Sequence, residues 1–143
     1  MALVTAVDDN IIKCNILDTE NVIIGDTGFI ALSNSENLPV EVIKIIGNTA
    51  VIQCFEDTSG VKQNMEVKFS GIELSAELGP GLIGQTYDGL QNPLDVMADH
   101  CGNYLSKGRE FAKIIKDVDW EFTPLFEVGT KVKAGNWLGE VPE

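Results

Sequence analysis

The first half of the chain, from Leu3 to Phe69, consists of short runs of apolar and β-branched residues that polar clusters interrupt. Short runs of this kind, with turn signals at regular spacing, are typical of strands in a small all-β barrel or sandwich. We therefore predict a small β-barrel over residues 1–72. Its turns are expected at Asp8–Asn10, Asp18–Asn21, Gly25–Gly28, Ser33–Ser35 and Glu56–Gly60.

The clearest pair of strands lies between Val40 and Phe55. Two β-branched runs flank Gly47 and Asn48, a two-residue loop of the type that tolerates a positive φ and closes tight hairpins. The spacing predicts a hairpin here, and a last barrel strand is expected at Glu66–Phe69.

The pattern changes between Glu77 and Leu94, where four of the fourteen glycines fall within eleven residues and two prolines accompany them. Such a segment cannot continue as a helix or as a central strand. We interpret residues 73–109 as a glycine-rich connector with one short helix. The residues expected to shape the connector are Glu77, Gly79, Pro80, Gly81, Gly84, Asp88, Gly89 and Pro93.

A short helix is predicted directly after the connector. Asn92 suits the N-cap, Pro93 the first helical position, and Asp95 places a carboxylate near the first exposed N–H groups. We expect this helix to end at Gly108. The apolar face is predicted from residues three and four apart, namely Leu94, Met97, Cys101 and Tyr104 or Leu105.

Strand signals return in the tail, first at Trp120–Pro124. Val128, Thr130 and Val132 alternate with smaller or charged residues, and glycines punctuate the run to Val141, which predicts a hairpin. Because a lone two-stranded ribbon is marginal in water, residues 110–143 are interpreted as an incomplete β unit that is truncated or docks on a partner.

Composition narrows the classes of function. Apolar residues make up 44% of the 143 residues, which is enough for a real core, and the formal net charge is −12. This charge disfavours binding to nucleic acid or to anionic membranes. Three widely spaced cysteines are typical of reduced thiols in a cytoplasm, and the sequence shows neither an export signal nor a run long enough to insert into a membrane.

No catalytic, cofactor-binding or metal-binding residues are predicted. The Gly79–Gly84 segment matches the letters of a GxGxxG pattern but lacks the surrounding βαβ unit, and the sequence holds no GxxxxGK[ST] loop. His100 and Cys101 are adjacent on the predicted helix and point about 100° apart, so they are not expected to share a metal. The paired carboxylates Asp8–Asp9 and Glu56–Asp57 are expected to bond their own turns.

The segments with the most specific sequence are, in chain order, Ile52–Gly60, Ser75–Gly84, Tyr87–Leu94, Trp120–Pro124 and Gly135–Val141. Taken together, they resemble the N-terminal part of the catalytic A subunit of V-type and A-type rotary ATPases. Tyr87 and Asn92 stand where members of that family usually have phenylalanine and arginine.

This resemblance implies a fragment of the subunit. The barrel would help to form the crown of a hexamer that alternates with the B subunit, the connector would enter the nucleotide-binding domain, and residues 110–143 would begin the bulge insertion. The parent complex would couple ATP synthesis or hydrolysis to proton or sodium transport, with this subunit on the cytoplasmic side. The ATP and Mg site of the parent would lie beyond Glu143, so the fragment is expected to bind no cofactor and to be inactive alone.

Two alternatives stay open. A free-standing β-barrel could act as a binding module that uses the connector as a loop. The tail from Val128 to Val141 is also similar to half of a biotinyl or lipoyl carrier, although Lys131 and Lys133 lack the methionine or aspartate that usually stands beside the acceptor lysine.

Overall fold

The computed structural model describes residues 1–17, 22–32, 36–102, 104, 107–109 and 111–143. The chain divides into two compact units, Met1–Ser75 with Cys101–Glu110 and Ala76–His100 with Phe111–Glu143. The turns predicted at 18–21 and 33–35, and the predicted helix position Leu105, lie outside the described residues. The division at residues 72 and 109 stays a prediction.

The first unit contains a closed barrel of six antiparallel strands in the described ranges, which confirms the predicted barrel. Around the barrel the order is β1-β2-β5-β4-β3-β6, and β6 pairs back onto β1 through Ala2 and Val67. The strands are β1 (Ala2–Asp8), β2 (Ile11–Ile16), β3 (Asp26–Ala31), β4 (Asn37–Ile46), β5 (Thr49–Cys54) and β6 (Glu66–Glu73).

The barrel core follows from the two-residue period of a strand. In β4 and β5 every second side chain points inward, so Val42 lies opposite Ile52 and Val40 lies opposite Cys54, all of them buried. Among the described residues, twelve apolar side chains are buried in this core, namely Ala2, Val4, Ile12, Cys14, Ile30, Leu38, Val40, Val42, Ala50, Ile52, Cys54 and Val67.

A β-bulge in β4 keeps a charge out of this core. The register shifts between Val42 and Lys44, so that Lys44 lies opposite Val51 and Ile45 lies opposite the buried Ala50. Without the extra residue, the two-residue period would carry Lys44 inward. Instead Lys44 is exposed, and Ile45 packs against the core.

The predicted hairpin at Val40–Phe55 is confirmed, since β4 and β5 are joined at Gly47 and Asn48. Of the turn predicted at Gly25–Gly28, Gly25 does lie in a turn, with a φ of +94°, but the remainder is wrong, because β3 already begins at Asp26. Asp26 is buried, and its carboxylate accepts a hydrogen bond of 2.9 Å from the backbone N–H of Ile23. A polar residue that is typical of turns is therefore a satisfied core residue.

The described ranges contain one helix, α1 (Leu94–Cys101), and all of it except Cys101 belongs to the second unit. Pro93 directly precedes it, and its carbonyl accepts the first helical hydrogen bond, from the N–H of Met97 at 3.0 Å. The prediction that the helix ends at Gly108 is wrong, because α1 ends at Cys101. Tyr104, which was predicted to lie on the apolar face of the helix, lies outside it and is exposed. In the described part of the chain, no helix is sufficiently long and apolar to cross a membrane.

The tail has less strand than predicted. A short ribbon pairs β7 (Thr123–Pro124) with β8 (Gly139–Glu140), and the intervening residues form turns closed by hydrogen bonds from Thr130 to Glu127 and from Asn136 to Lys133. The hairpin predicted between Val128 and Val141 is therefore wrong. Val128 is fully exposed, so its alternation with Thr130 does not reflect a buried face.

Candidate connector and barrel-assembly site

Asp88 organises the loop that precedes the helix. Its Oδ1 accepts hydrogen bonds from the backbone N–H groups of Leu90 (2.9 Å) and Asn92 (2.8 Å), and its Oδ2 accepts one from the side-chain amide of Asn92. Partial burial acts to raise the pKa of Asp88, but the hydrogen bonds from Asn92 and Leu90 outweigh it and hold the pKa below its ordinary value. The side-chain amide of Asn92, the residue predicted as the N-cap, thus donates its hydrogen bond to the Asp88 carboxylate.

Glu77 is held through both its backbone and its side chain. The side-chain amide of Gln91 donates to the Glu77 carbonyl at 2.6 Å, and the Glu77 N–H donates to the Gln91 amide oxygen at 2.7 Å. The Glu77 carboxylate forms an ion pair of 2.7 Å with Lys116. Gln91 was not predicted as a site residue, because an amide in a polar loop gives no sequence signal of a partner fourteen residues away.

The glycines among the remaining predicted connector residues differ in whether their backbone conformation and the surrounding space would permit a side chain. Pro80 and Gly81 lie in a turn, and the φ of +94° at Gly81 is one that side-chain-bearing residues rarely adopt. A Cβ at Gly79 would approach only the Ile114 side chain, at 3.4 Å, and Gly84 also has a positive φ. A Cβ at Gly89 would meet no atom of the described residues within 4 Å, so a side chain would fit there.

In the barrel unit, the segment after β5 contacts Lys107 and Gly108. The Glu56 carboxylate accepts a hydrogen bond of 2.7 Å from the Gly108 N–H, and the Asp57 carboxylate pairs with the Lys107 ammonium. A Cβ at Gly108 would lie 2.7 Å from the Asn37 nitrogen, so only glycine fits this contact. We call these contacts of Glu56, Asp57, Lys107 and Gly108 the barrel clasp.

The predicted bonding of the acidic pair Glu56–Asp57 to its own turn is confirmed for Asp57. Its carboxylate accepts hydrogen bonds from the backbone N–H and the hydroxyl of Ser59, at 2.9 and 2.7 Å. The pKa of Asp57 falls well below its ordinary range, first because of the hydrogen bond from Lys107 and then because of those from Ser59. Nothing in the sequence pointed to Lys107, which lies fifty residues downstream.

Replacing Asp57 with Asn should remove a pH-dependent part of the barrel's stability. A carboxylate whose pKa is lowered in the folded state stabilises it above the ordinary pKa, here 3.8, and this contribution is lost as the pH falls from about 4 through the lowered pKa. Urea unfolding at pH 7 and at pH 2 checks this. We expect D57N to be less stable than the unchanged chain at pH 7, with a smaller difference at pH 2, and an equal difference at the two pH values would contradict this prediction.

Two of the three thiols are buried, and the single histidine packs against a neighbouring aromatic ring. All three cysteines are free, and burial raises the pKa of Cys14 to about 11 and also raises that of Cys54. His100 Nδ1 lies 2.9 Å from the Val96 carbonyl, and its ring meets the edge of Phe111. Within the described ranges, no three His, Cys, Asp or Glu side chains are placed to hold a metal ion.

Alkylation should separate the three cysteines. Because Cys14 and Cys54 are buried and largely protonated at pH 8, we expect iodoacetamide to modify Cys101, the partly buried last residue of α1, at least about 100-fold faster. Peptide mass spectrometry over time measures the rates. Equal rates for the three thiols in the native chain would contradict the buried core, whereas equal rates in about 8 M urea are the expected control.

The barrel exposes several large apolar side chains. Ile43 and Ile46 lie on β4, and Ile46 is 58% exposed. Such residues on a well-packed barrel are available to contact other chains. The exposed set on this unit includes Val7, Ile23, Ile24, Ile43, Ile46, Phe55, Ile72 and Leu74.

Residues 9–71, which cover most of the barrel, match the sequence model of the ATP synthase alpha/beta family, beta-barrel domain. Through this barrel, the chain belongs to the ATP synthase alpha/beta family. The match agrees with the resemblance seen in the sequence motifs. It also agrees with the observed fold, because the matched residues hold strands β2 to β5 and most of β6.

Curated relatives extend the match beyond the barrel. The chain is 39% identical over 142 residues to V-type ATP synthase alpha chain 1 of Treponema pallidum, covering 99% of this chain and 23% of the relative. It is 44% identical over 108 residues to the A subunit, copy 1, of the A-type ATP synthase of Methanospirillum hungatei, covering 76% of this chain and 19% of the relative. A V-type ATP synthase alpha chain of Treponema denticola is 43% identical over 122 residues, which are 85% of this chain and 20% of the relative. The chain thus spans about a fifth of the length of these relatives.

The carrier alternative stays a prediction. Lys131 and Lys133 lie in the irregular segment that connects the paired strands β7 and β8. The alternative of a free-standing binding module concerns partners and stays a prediction.

Proposed function

We propose that this chain is the N-terminal barrel and connector of the A subunit of a V-type or A-type ATP synthase, and that the barrel serves assembly of the enzyme's head. The observation that carries this proposal is the closed six-stranded barrel over the residues that match the family's barrel domain. A relative named as a V-type ATP synthase alpha chain aligns with 99% of the chain.

The physical properties of the barrel suit a role in assembly. Closure pairs every strand with two neighbours, so the barrel offers a rigid outer surface and no long free edge to aggregate. Exposed Ile43 and Ile46 provide apolar contact area on that surface. In a ring, repeated barrels would hold the subunits together while other domains change shape. The partner we propose is the B subunit, which would alternate with the A subunit in a hexamer on the cytoplasmic side of the membrane.

The enzymatic activity belongs, in this proposal, to the whole subunit. That subunit would synthesise or hydrolyse ATP, with Mg, and the complex would couple this reaction to proton or sodium transport. The 143 residues contain no GxxxxGK[ST] loop to cradle phosphates. We propose that the chain alone supports assembly without holding the nucleotide site.

The isolated chain is therefore expected to bind no ATP. Isothermal titration with Mg-ATP should give no saturable heat at micromolar to millimolar nucleotide, because the backbone cradle for the phosphates is missing. A saturable isotherm with a micromolar Kd would contradict the proposal. Circular dichroism of the same sample must show the β-rich fold, so that a lack of binding is not caused by unfolding.

Assembly is tested by mixing the purified chain with the B-type subunit of the same organism's ATP synthase. We expect sedimentation velocity to show a complex that the chain with Ile43→Asp and Ile46→Asp forms less well, because the two carboxylates would have to be desolvated at the interface. Val128→Asp, at a fully exposed apolar side chain in the other unit, is the matched control and should bind like the unchanged chain. A chain that stays a monomer beside an excess of the B-type subunit would favour the free-standing module.

A further inference from the structure

One carboxylate oxygen in the second unit accepts two hydrogen bonds from the glycine-rich connector. The backbone N–H of Gly81 donates to Glu143 Oε1 at 2.7 Å, and the N–H of Ile83 donates to the same oxygen at 2.9 Å. These two N–H groups come from alternate residues and converge on one point. Converging backbone N–H groups form a concave site for an anion, and hydrogen bonds to an ionised acceptor are the stronger kind.

The turn itself explains why the two N–H groups converge. Gly81 has a φ of +94°, and a turn hydrogen bond of 3.2 Å from the Gln85 N–H to the Leu82 carbonyl follows it. Trp120 lies beside the turn, with its Cζ2 atom 3.6 Å from the position that a Gly81 Cβ would take. The N–H groups of residues 81 and 83 therefore lie outside regular secondary structure and need another acceptor.

We propose that Glu143 is the internal anionic ligand of this turn and fixes the conformation of the connector. We call Gly81, Ile83 and Glu143 the connector latch. The carboxylate closes a long loop, because Gly81 and Glu143 are separated by 62 positions. Removing it would leave two N–H groups dependent on water and would free the turn to sample other backbone conformations.

This inference goes beyond the proposed function. Assembly through the barrel uses residues of the first unit and requires neither the latch nor Glu143. The GxGxxG letters of the Gly79–Gly84 segment match a nucleotide-binding pattern, and the family resemblance implies only that this segment is a connector. The latch adds a hydrogen-bonding partner for this segment within its own chain. The acceptor that the Gly81 and Ile83 N–H groups bind is a carboxylate of the same chain.

Amide hydrogen exchange measured by NMR on the full 143-residue chain tests the latch. In Glu143→Ala, the amides of Gly81 and Ile83 should exchange at least about tenfold faster than in the unchanged chain, because each loses a charge-assisted hydrogen bond. Glu143→Gln should give an intermediate acceleration, since its amide oxygen can still accept but carries no charge. Glu140→Ala removes the same type of side chain three residues earlier and should leave both amides within about twofold.

Internal reference amides guard against a general loss of structure. The turn amides of Thr130 and Asn136, in the same unit, and that of Ile52, in the barrel, should keep their rates in Glu143→Ala. Unchanged rates for Gly81 and Ile83 in Glu143→Ala would overturn the proposal. An equal acceleration of these amides in Glu140→Ala, or of the reference amides in Glu143→Ala, would also overturn it, because the effect would then not be specific to the latch.

Discussion

Replacing Ile52 with Ala is expected to lower the free energy of unfolding of the barrel by about 2–5 kcal/mol. Ile52 is fully buried and lies opposite Ile12 on β2 and Val42 on β4, both also buried. A closed barrel cannot collapse fully around the resulting cavity, because each neighbouring strand is fixed by its own pairing on both sides. Such a loss is a large fraction of the stability of a domain of this size.

Urea unfolding followed by far-UV circular dichroism measures this loss. Tryptophan fluorescence is unsuitable, because Trp120 and Trp137 both lie in the second unit. Ile46→Ala is the matched control, since it makes the same chemical change on β4 at a side chain that is 58% exposed, and it should cost no more than about 0.5 kcal/mol. Equal losses at the two positions would show that the inward and outward faces of the barrel are assigned wrongly.

Replacing Gly28 with Ala should destabilise the barrel by about 2–4 kcal/mol, although only one methyl group is added. Gly28 lies on β3 opposite Phe69 of β6, and a Cβ there would come within 2.4 Å of the Lys68 carbonyl oxygen. The obstacle is backbone, so no side-chain rotation relieves the clash. β3 and β6 must separate locally, and the ladder that closes this side of the barrel weakens.

The same unfolding experiment checks the glycine prediction. Gly89→Ala is the control, because in the described part of the chain a Cβ at that position meets no atom within 4 Å. We expect its unfolding curve to match that of the unchanged chain. A native-like midpoint for Gly28→Ala would mean that β3 and β6 are farther apart than the structure shows.

The barrel could be predicted because its signals are local. The alternation in β4 and β5 and the loop at Gly47 and Asn48 carry their own register, so strand, hairpin and buried face follow from one short stretch of sequence. The start of β3 could not be found in this way. Asp26 and Gly28 are residue types that are common in turns. In the structure, Asp26 is buried and accepts a hydrogen bond from the Ile23 N–H, and Gly28 faces the backbone of β6.

The contacts of the candidate site were less accessible to sequence reasoning. The connector residues could be named from glycine and proline content, but their partners are distant, as in Gln91 with Glu77 and Glu143 with Gly81. The barrel clasp joins residues fifty positions apart through single hydrogen bonds. Tertiary contacts of this kind leave no periodic pattern in the sequence. Conversely, a periodic pattern can mislead, because the alternation that begins at the exposed Val128 reflects no buried face.

The measurement that tests the central claim most directly is the composition of the native complex that contains this sequence. An antibody raised against the chain would purify that complex from cells of the source without denaturation, and mass spectrometry would identify and quantify the subunits. We expect this sequence in equal amounts with a B-type ATP synthase subunit. Recovery as a lone protein of 15.5 kDa, without ATP synthase subunits, would contradict the account.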